Sequence, residues 1–144
     1  MTLRLPTGEV TVLLGEQIVR GRLMDMLDPT SATADSGGPV TARRVGAEPG
    51  EGVATRRRRL EDAGDAAIVL VDRITDGLDA AGRRAVLGVL ASVAARGAAV
   101  LVDDDDCVAA LALADGTLRA DPRRGIVLEP VEAAPLLEEL YRAS

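Results

Sequence analysis

Residues Ala66-Ala67-Ile68-Val69-Leu70-Val71-Asp72-Arg73-Ile74-Thr75-Asp76-Gly77-Leu78-Asp79 decide the fold. The run from Ala66 to Val71 is apolar without alternation, the pattern of a parallel strand buried on both faces. It stops at a carboxylate, Asp72. A turn containing Gly77 then leads to Asp79, a residue type that caps helices. From Ala80 to Arg96 the positions Ala81, Ala85, Val86, Val89, Leu90, Val93 and Ala94 recur at helical spacing, with Arg83 and Arg84 facing outward. Gly97 ends that helix, and Ala98-Ala99-Val100-Leu101-Val102 forms a second wholly apolar strand. The segment is a β-α-β unit.

Working outward, Glu9-Val10-Thr11-Val12-Leu13-Leu14-Gly15 predicts a further strand running into a helix. The stretch 28–52 is rich in Gly, Pro, Ser and Thr and reads as a flexible loop with a short strand near Pro39 to Val45. Beyond Cys107 the expectation is a short helix through Ala114, a turn at Asp115-Gly116 and strands near 117–120 and 125–129. Residues 130–143 predict an amphipathic helix with Val131, Leu136, Leu137, Leu140 and Tyr141 on its apolar side, closing the core or docking on another chain.

The stretch Asp72 to Asp79 resembles the Walker B and D-loop segment of ATP-binding-cassette (ABC) ATPases. The family writes it as four apolar residues followed by Asp-Glu-Pro-Thr-x-Gly-Leu-Asp. Asp72, Thr75, Gly77, Leu78 and Asp79 stand in register, and Asp76 completes the D-loop-like turn. The resemblance implies a P-loop-NTPase-like α/β fold, a mainly parallel sheet flanked by helices, in one reduced domain over residues 1–144. The departures bear on the chemistry. Arg73 stands where the family carries the glutamate that polarises water, and a permanent cation cannot accept a proton. After Gly15 the family reads Pro-Asn-Gly-x-Gly-Lys-Ser-Thr, whereas this chain reads Glu16 to Leu23, with Gly21 at the lysine and Arg22 at the Mg²⁺-binding hydroxyl. Ile18 and Val19 are poor residues for a phosphate-cradling nest. Too few residues separate Gly21 from Ala66 to hold the helical signature subdomain. The signature register falls on 48–52, and Ser36-Gly37-Gly38 reads as a loop. The family's switch histidine is replaced by Asp104.

These departures remove the catalytic residues that the resemblance would imply. The expectation is a noncatalytic pseudo-ATPase, without a cofactor or metal, that works through protein contacts. Its partner would be another copy or an ABC-type permease or ATPase subunit, in a homo- or hetero-oligomer. The turn Asp76-Gly77-Leu78-Asp79 is the candidate contact, because D-loops in the family face the opposite subunit. The alternative is a nucleotide- or anion-sensing domain that binds through Gly15, Arg20, Gly21 and Arg22 without hydrolysis. For Arg20 and Arg22 the favoured reading is solvated arginines in the first turns of a helix rather than an anion site. A third reading, a hydrolase using Asp72 and Asp103 to Asp106 with a metal, needs chemistry the resemblance does not supply.

The acidic run itself leaves two readings: hard-cation ligands, or a solvated acidic edge, which the divergent directions of successive strand residues favour. With Asp72 it would form an acidic crevice at the strand ends, where an α/β protein usually binds its ligand, or one that takes an arginine or lysine from a partner. Arg56 to Arg59 reads as a solvated helix face rather than a nucleic-acid or acidic-lipid patch, since the net charge is −6 and aromatic residues make up only 1%.

At 144 residues and 47% apolar content, one aliphatic core can form. Tyr141 is the sole aromatic residue, so no ring is available elsewhere to stack on adenine. Cys107, the single cysteine, excludes an intrachain disulfide and reads as a small buried or edge residue. No signal peptide or membrane-spanning run is evident, which points to the cytoplasm, with membrane contact only through a partner. The lack of Lys, Asn and His beside abundant Ala, Gly, Arg and Val fits a GC-rich bacterial genome.

Overall fold

The computed structural model describes residues 3–121 and 125–130. Its centre is formed by the two apolar runs: β3 (Ile68–Asp72) and β4 (Ala99–Asp103) pair in parallel, with Asp72 opposite Asp103. β1 (Val10–Leu14) lies on the other side of β4, and β2 (Ala42–Gly46) forms the edge beside β3. β5 (Gly116–Asp121) pairs in parallel with β1, and β6 (Gly125–Pro130) returns antiparallel to it. The order is β2-β3-β4-β1-β5-β6, a sheet of five parallel strands with one antiparallel edge.

The helices are α1 (Gln17–Met26), α2 (Val53–Ala63), α3 (Ala80–Leu87), α4 (Val89–Ala95) and α5 (Cys107–Leu111). The predicted helix over 80–96 is interrupted at Gly88, although its amide still reaches the Arg84 carbonyl at 2.9 Å. Glycine at mid-helix weakens the run, and a Cβ there would stand 3.2 Å from that carbonyl. Between α1 and β3 the chain holds a 3-10 turn (Pro29–Ser31), β2 and α2, and no helical subdomain. Asp28 caps the turn by accepting from the Thr30 amide at 3.0 Å and from the Thr30 and Ser31 hydroxyls.

Strand alternation divides the core. Val10, Val12, Val69, Val71, Val100 and Val102 face α2 to α5, where Leu60, Leu87, Leu90 and Val93 are buried. Leu13, Leu70, Leu101 and Leu118 face the other side, which Leu23 and Met24 of α1 cover. The face with four helices is thickly covered and the other thinly. Cys107, expected to be buried or at an edge, is exposed at the start of α5. The predicted helix over 130–143, with Tyr141, lies outside the described residues.

Candidate functional site at the strand ends

The strand order reverses between β1 and β4, and the crevice at their carboxyl ends is where ligands of open α/β sheets bind. Here it is filled by the chain's own Arg20. Gly15 ends β1 and α1 begins at Gln17, so the helix follows almost at once and directs Arg20 back over the strand ends. Its guanidinium donates to the Asp103 carboxylate, to the Asp104 carbonyl at 3.2 Å and to Asp105 Oδ1 at 3.1 Å, while Nε donates to the Gly15 carbonyl at 3.0 Å. The expectation of a solvated arginine fails at this position: Arg20 is 8% exposed and Asp103 1%. A buried carboxylate requires a partner, and Arg20 supplies it from within the chain. Arg22, two residues further along α1, is exposed, and Gly21 has open space around it. Of the four residues Gly15, Arg20, Gly21 and Arg22, the first two therefore meet, while Gly21 and Arg22 do not join them.

A second arginine occupies Asp72. Arg44 of β2 donates to Asp72 Oδ2 through Nε at 3.0 Å and Nη2 at 2.5 Å, and also bonds Asp25 and the Met24 carbonyl. Burial works against its charge, but the hydrogen bonds and charges of Asp72 and Asp25 outweigh this and raise its pKa. Nothing in the sequence signals this pair, because β2 and the end of β3 meet only in the sheet.

Arg73 sits in the left-handed region at φ 53, uncommon for a residue with a side chain. It forms ion pairs with Asp76 at 3.1 Å and Asp105 at 3.2 Å, and its Nε is buried without a hydrogen-bond partner. Asp104 is 1% exposed and accepts from the Thr75 hydroxyl at 2.7 Å and the Asp106 amide at 2.9 Å. The expected solvated acidic edge is thus half interior. Burial raises the pKa of Asp104 against these hydrogen bonds, and burial also raises Asp103 against the charge and hydrogen bond of Arg20, with Asp72 and Asp105 adding repulsion. Asp106 pairs with Arg83 at 3.5 Å and caps α5 through the Ala109 amide at 3.2 Å.

The D-loop-like turn is held from behind. Arg56, expected on a solvated helix face, is 5% exposed and donates to the carbonyls of Ile74 at 3.0 Å, Asp76 at 2.5 Å and Glu51 at 3.1 Å. Arg59 bonds Glu51 and the Gly46 carbonyl, leaving Arg57 and Arg58 as the solvated pair. Asp79 caps α3 by accepting from the Gly82 amide at 2.7 Å. Asp76, Gly77 and Asp79 are exposed, and Leu78 packs on the core.

A nucleoside triphosphate with Mg²⁺ does not fit this donor set. The loop lacks its lysine and hydroxyl, Arg44 holds Asp72, and Arg20 stands in the crevice. Gly15 has a packing reason: at φ 127, a Cβ would come within 2.7 Å of the Ala120 carbonyl oxygen. Among the described residues no group of three or more His, Cys, Asp or Glu side chains is arranged to hold a metal ion, and no helix is long and apolar enough to cross a membrane.

No protein-family model matches the sequence, and no curated protein matches it. Solved structures are similar in fold. A nucleotide-free ATP-binding cassette from an ABC transporter superposes with a TM-score of 0.64 at 11% identity, covering 96% of this chain and 85% of the other. cbiO1 from Clostridium perfringens, part of the ABC transporter complex cbiONQ, gives 0.62 at 14%, covering 99% and 85%. The archaeal ribosome recycling factor aABCE1 in complex with the stalk protein aP1 gives 0.55 at 13%, covering 96% of this chain. The chain spans 37% of that structure and 38% of one described as RNase-L inhibitor. The reversed strand order, the parallel sheet and these superpositions agree: the chain has the fold of ABC transporter ATP-binding domains in reduced form.

Proposed function

We propose that this chain is a noncatalytic pseudo-ATPase domain that acts as a protein-interaction or regulatory subunit of a multisubunit assembly. The observation that carries the reading is Arg20, seated on Asp103 in the crevice that would otherwise take the ligand, with Arg44 seated likewise on Asp72. Both carboxylates are neutralised from within, so the chain needs no bound cation there. Arg73 supplies no base for water attack. What the fold retains is a platform, with the exposed turn Asp76-Gly77-Leu78-Asp79 at its surface and another copy or an ABC-type permease or ATPase subunit as partner.

Titration calorimetry with ATP and with ADP, each with and without Mg²⁺, tests this beside a light-scattering mass. The expected result is no saturable heat and no phosphate release, in the wild type and in Arg73→Glu alike. Saturable binding at micromolar nucleotide that Arg20→Ala abolishes would replace this reading with the sensing one.

A further inference from the structure

Most carboxylates at the strand ends are matched by an arginine: Asp72 by Arg44, Asp103 by Arg20, Asp105 by Arg20 and Arg73, Asp76 by Arg73, and Asp106 by Arg83. Asp104 has no such match among the described residues, although it is 1% exposed. Its oxygens accept from neutral donors, Oδ2 from the Thr75 hydroxyl at 2.7 Å and Oδ1 from the Asp106 amide at 2.9 Å. Arg20 reaches this residue only at its carbonyl. Thr75 is itself 3% exposed and belongs to the turn over 73–79, so its hydroxyl is a buried tie between the acidic run and that turn.

We propose that Asp104 and Thr75 form a proton-operated latch, which holds the turn over 73–79 more firmly when Asp104 is protonated than when it is ionised. A hydroxyl can donate to a carboxylate and accept from a carboxylic acid. The contact therefore survives uptake of a proton at Oδ2, and Oδ1 still accepts from the Asp106 amide. What changes is the charge. The anions around Asp104 are Asp103 on β4, Asp72 at the end of β3, Asp105 and Asp106 before α5, and Asp76 in the turn. The cations are already engaged: Arg20 of α1 by Asp103 and Asp105, Arg44 of β2 by Asp72, Arg73 by Asp76 and Asp105, Arg83 of α3 by Asp106, and Arg56 of α2 by carbonyls of the turn. Protonation removes a buried, unmatched charge without losing either hydrogen bond. Burial, with repulsion from Asp106 and Asp105, raises the pKa of Asp104 against the hydrogen bonds from Thr75 and the Asp106 amide. A carboxyl raised in this way contributes stability below its unfolded pKa and loses it as pH rises through the folded one, so the latch is firm in acid and weaker at neutral pH. Asp76, Gly77 and Asp79 are exposed, and the latch sets how rigid a surface they present. It is internal to one chain and does not depend on the pseudo-ATPase reading.

Hydrogen exchange in the full chain, read by NMR as protection factors so that the intrinsic pH dependence of exchange is removed, tests the latch. In the wild type, protection of the amides over 73–79 should rise several-fold as the buffer is taken from neutral toward acid, within the range where far-UV circular dichroism is unchanged. Asp104→Asn sets one donor and one acceptor where the protonated carboxyl has them, so protection of the turn should already be high at neutral pH and should stay flat. Thr75→Val keeps the shape and removes the hydroxyl, and protection should be low and flat. The Asp104 carboxyl carbon, followed by NMR in the wild type, should titrate above the usual aspartate range, a result that stands even where a variant fails to fold. Flat protection in the wild type overturns the proposal, as does an Asp104 midpoint within or below that range. A rise that persists in either variant overturns it too, because another carboxyl, such as Asp76 or Asp105, would then be responsible.

Discussion

The loop after β1 and the turn after β3 start from the same kind of place, the carboxyl end of a buried parallel strand, yet they hold their shape differently. The turn over 73–79 is supported by its own chain: the Asp76 amide reaches the Arg73 carbonyl at 3.3 Å, the Leu78 amide reaches Thr75 at 3.1 Å, Arg56 holds two carbonyls from behind and Asp79 caps the next helix. The loop after β1 consists only of Gly15 and Glu16 before α1 begins, and Arg20 stands in the crevice it borders. A turn braced by protein groups keeps its geometry without a ligand. The short loop is held chiefly through one residue, Arg20, whose Nε reaches the Gly15 carbonyl at 3.0 Å and whose amide reaches the Glu16 carbonyl at 2.9 Å.

Three substitutions test that contrast. The largest effect should come from Arg20→Met, which leaves Asp103 buried and unpaired; about 3 to 5 kcal/mol of stability should be lost at neutral pH. Its pH dependence follows from Asp103. Burial already raises the folded-state pKa above its unfolded value, and removing Arg20 removes the two influences that lower it. A group raised in this way contributes stability below its unfolded pKa and loses that contribution as pH rises through the folded one. The Arg20→Met deficit should therefore shrink as the buffer is taken from neutral toward acid, read as urea midpoints at a series of pH values. A deficit independent of pH would separate Arg20 from the ionisation of Asp103.

Arg56→Met should cost about 2 kcal/mol, the scale for buried hydrogen bonds from a charged donor, with faster amide exchange confined to the turn over 73–79. If it costs more than Arg20→Met, the order of the two regions is reversed and the brace matters more than the plug. The smallest effect is expected from Asp79→Ala, about 1 kcal/mol for a lost N-cap, seen as a lower melting temperature with the fold unchanged. A neutral outcome would mean that packing of Leu78 alone holds the start of α3.

Much of the backbone was legible before any coordinates. Runs such as Ala66 to Val71 and Ala98 to Val102 read as strands buried on both faces, because they lack polar alternation, and β3 and β4 follow them to one residue beyond their ends, at Asp72 and Asp103. Asp79 as a cap was legible for the same local reason, its amide partner being three residues away. The fates of Arg20, Arg44 and Arg56 were not. Solvated and buried arginines look alike in one dimension, and the carboxylate partner of Arg20 is 83 residues away, that of Arg44 28. Cys107 and Asp104 were misplaced likewise: an acidic run looks solvated until the strand end that carries it is seen to turn two of its members inward.

The amino-acid sequence by itself determined the parallel β-α-β core, the short connection between Gly21 and β3, and the placing of an arginine, Arg73, directly after Asp72. These depend on residue type and on spacing within one element. Tertiary structure alone decided that the acidic crevice is neutralised from inside, because that outcome depends on which strands become neighbours. The order β2-β3-β4-β1 sets Arg44 beside Asp72 and Arg20 over Asp103, and a carboxylate as buried as Asp103 needs such a partner because leaving it unpaired costs more than pairing it.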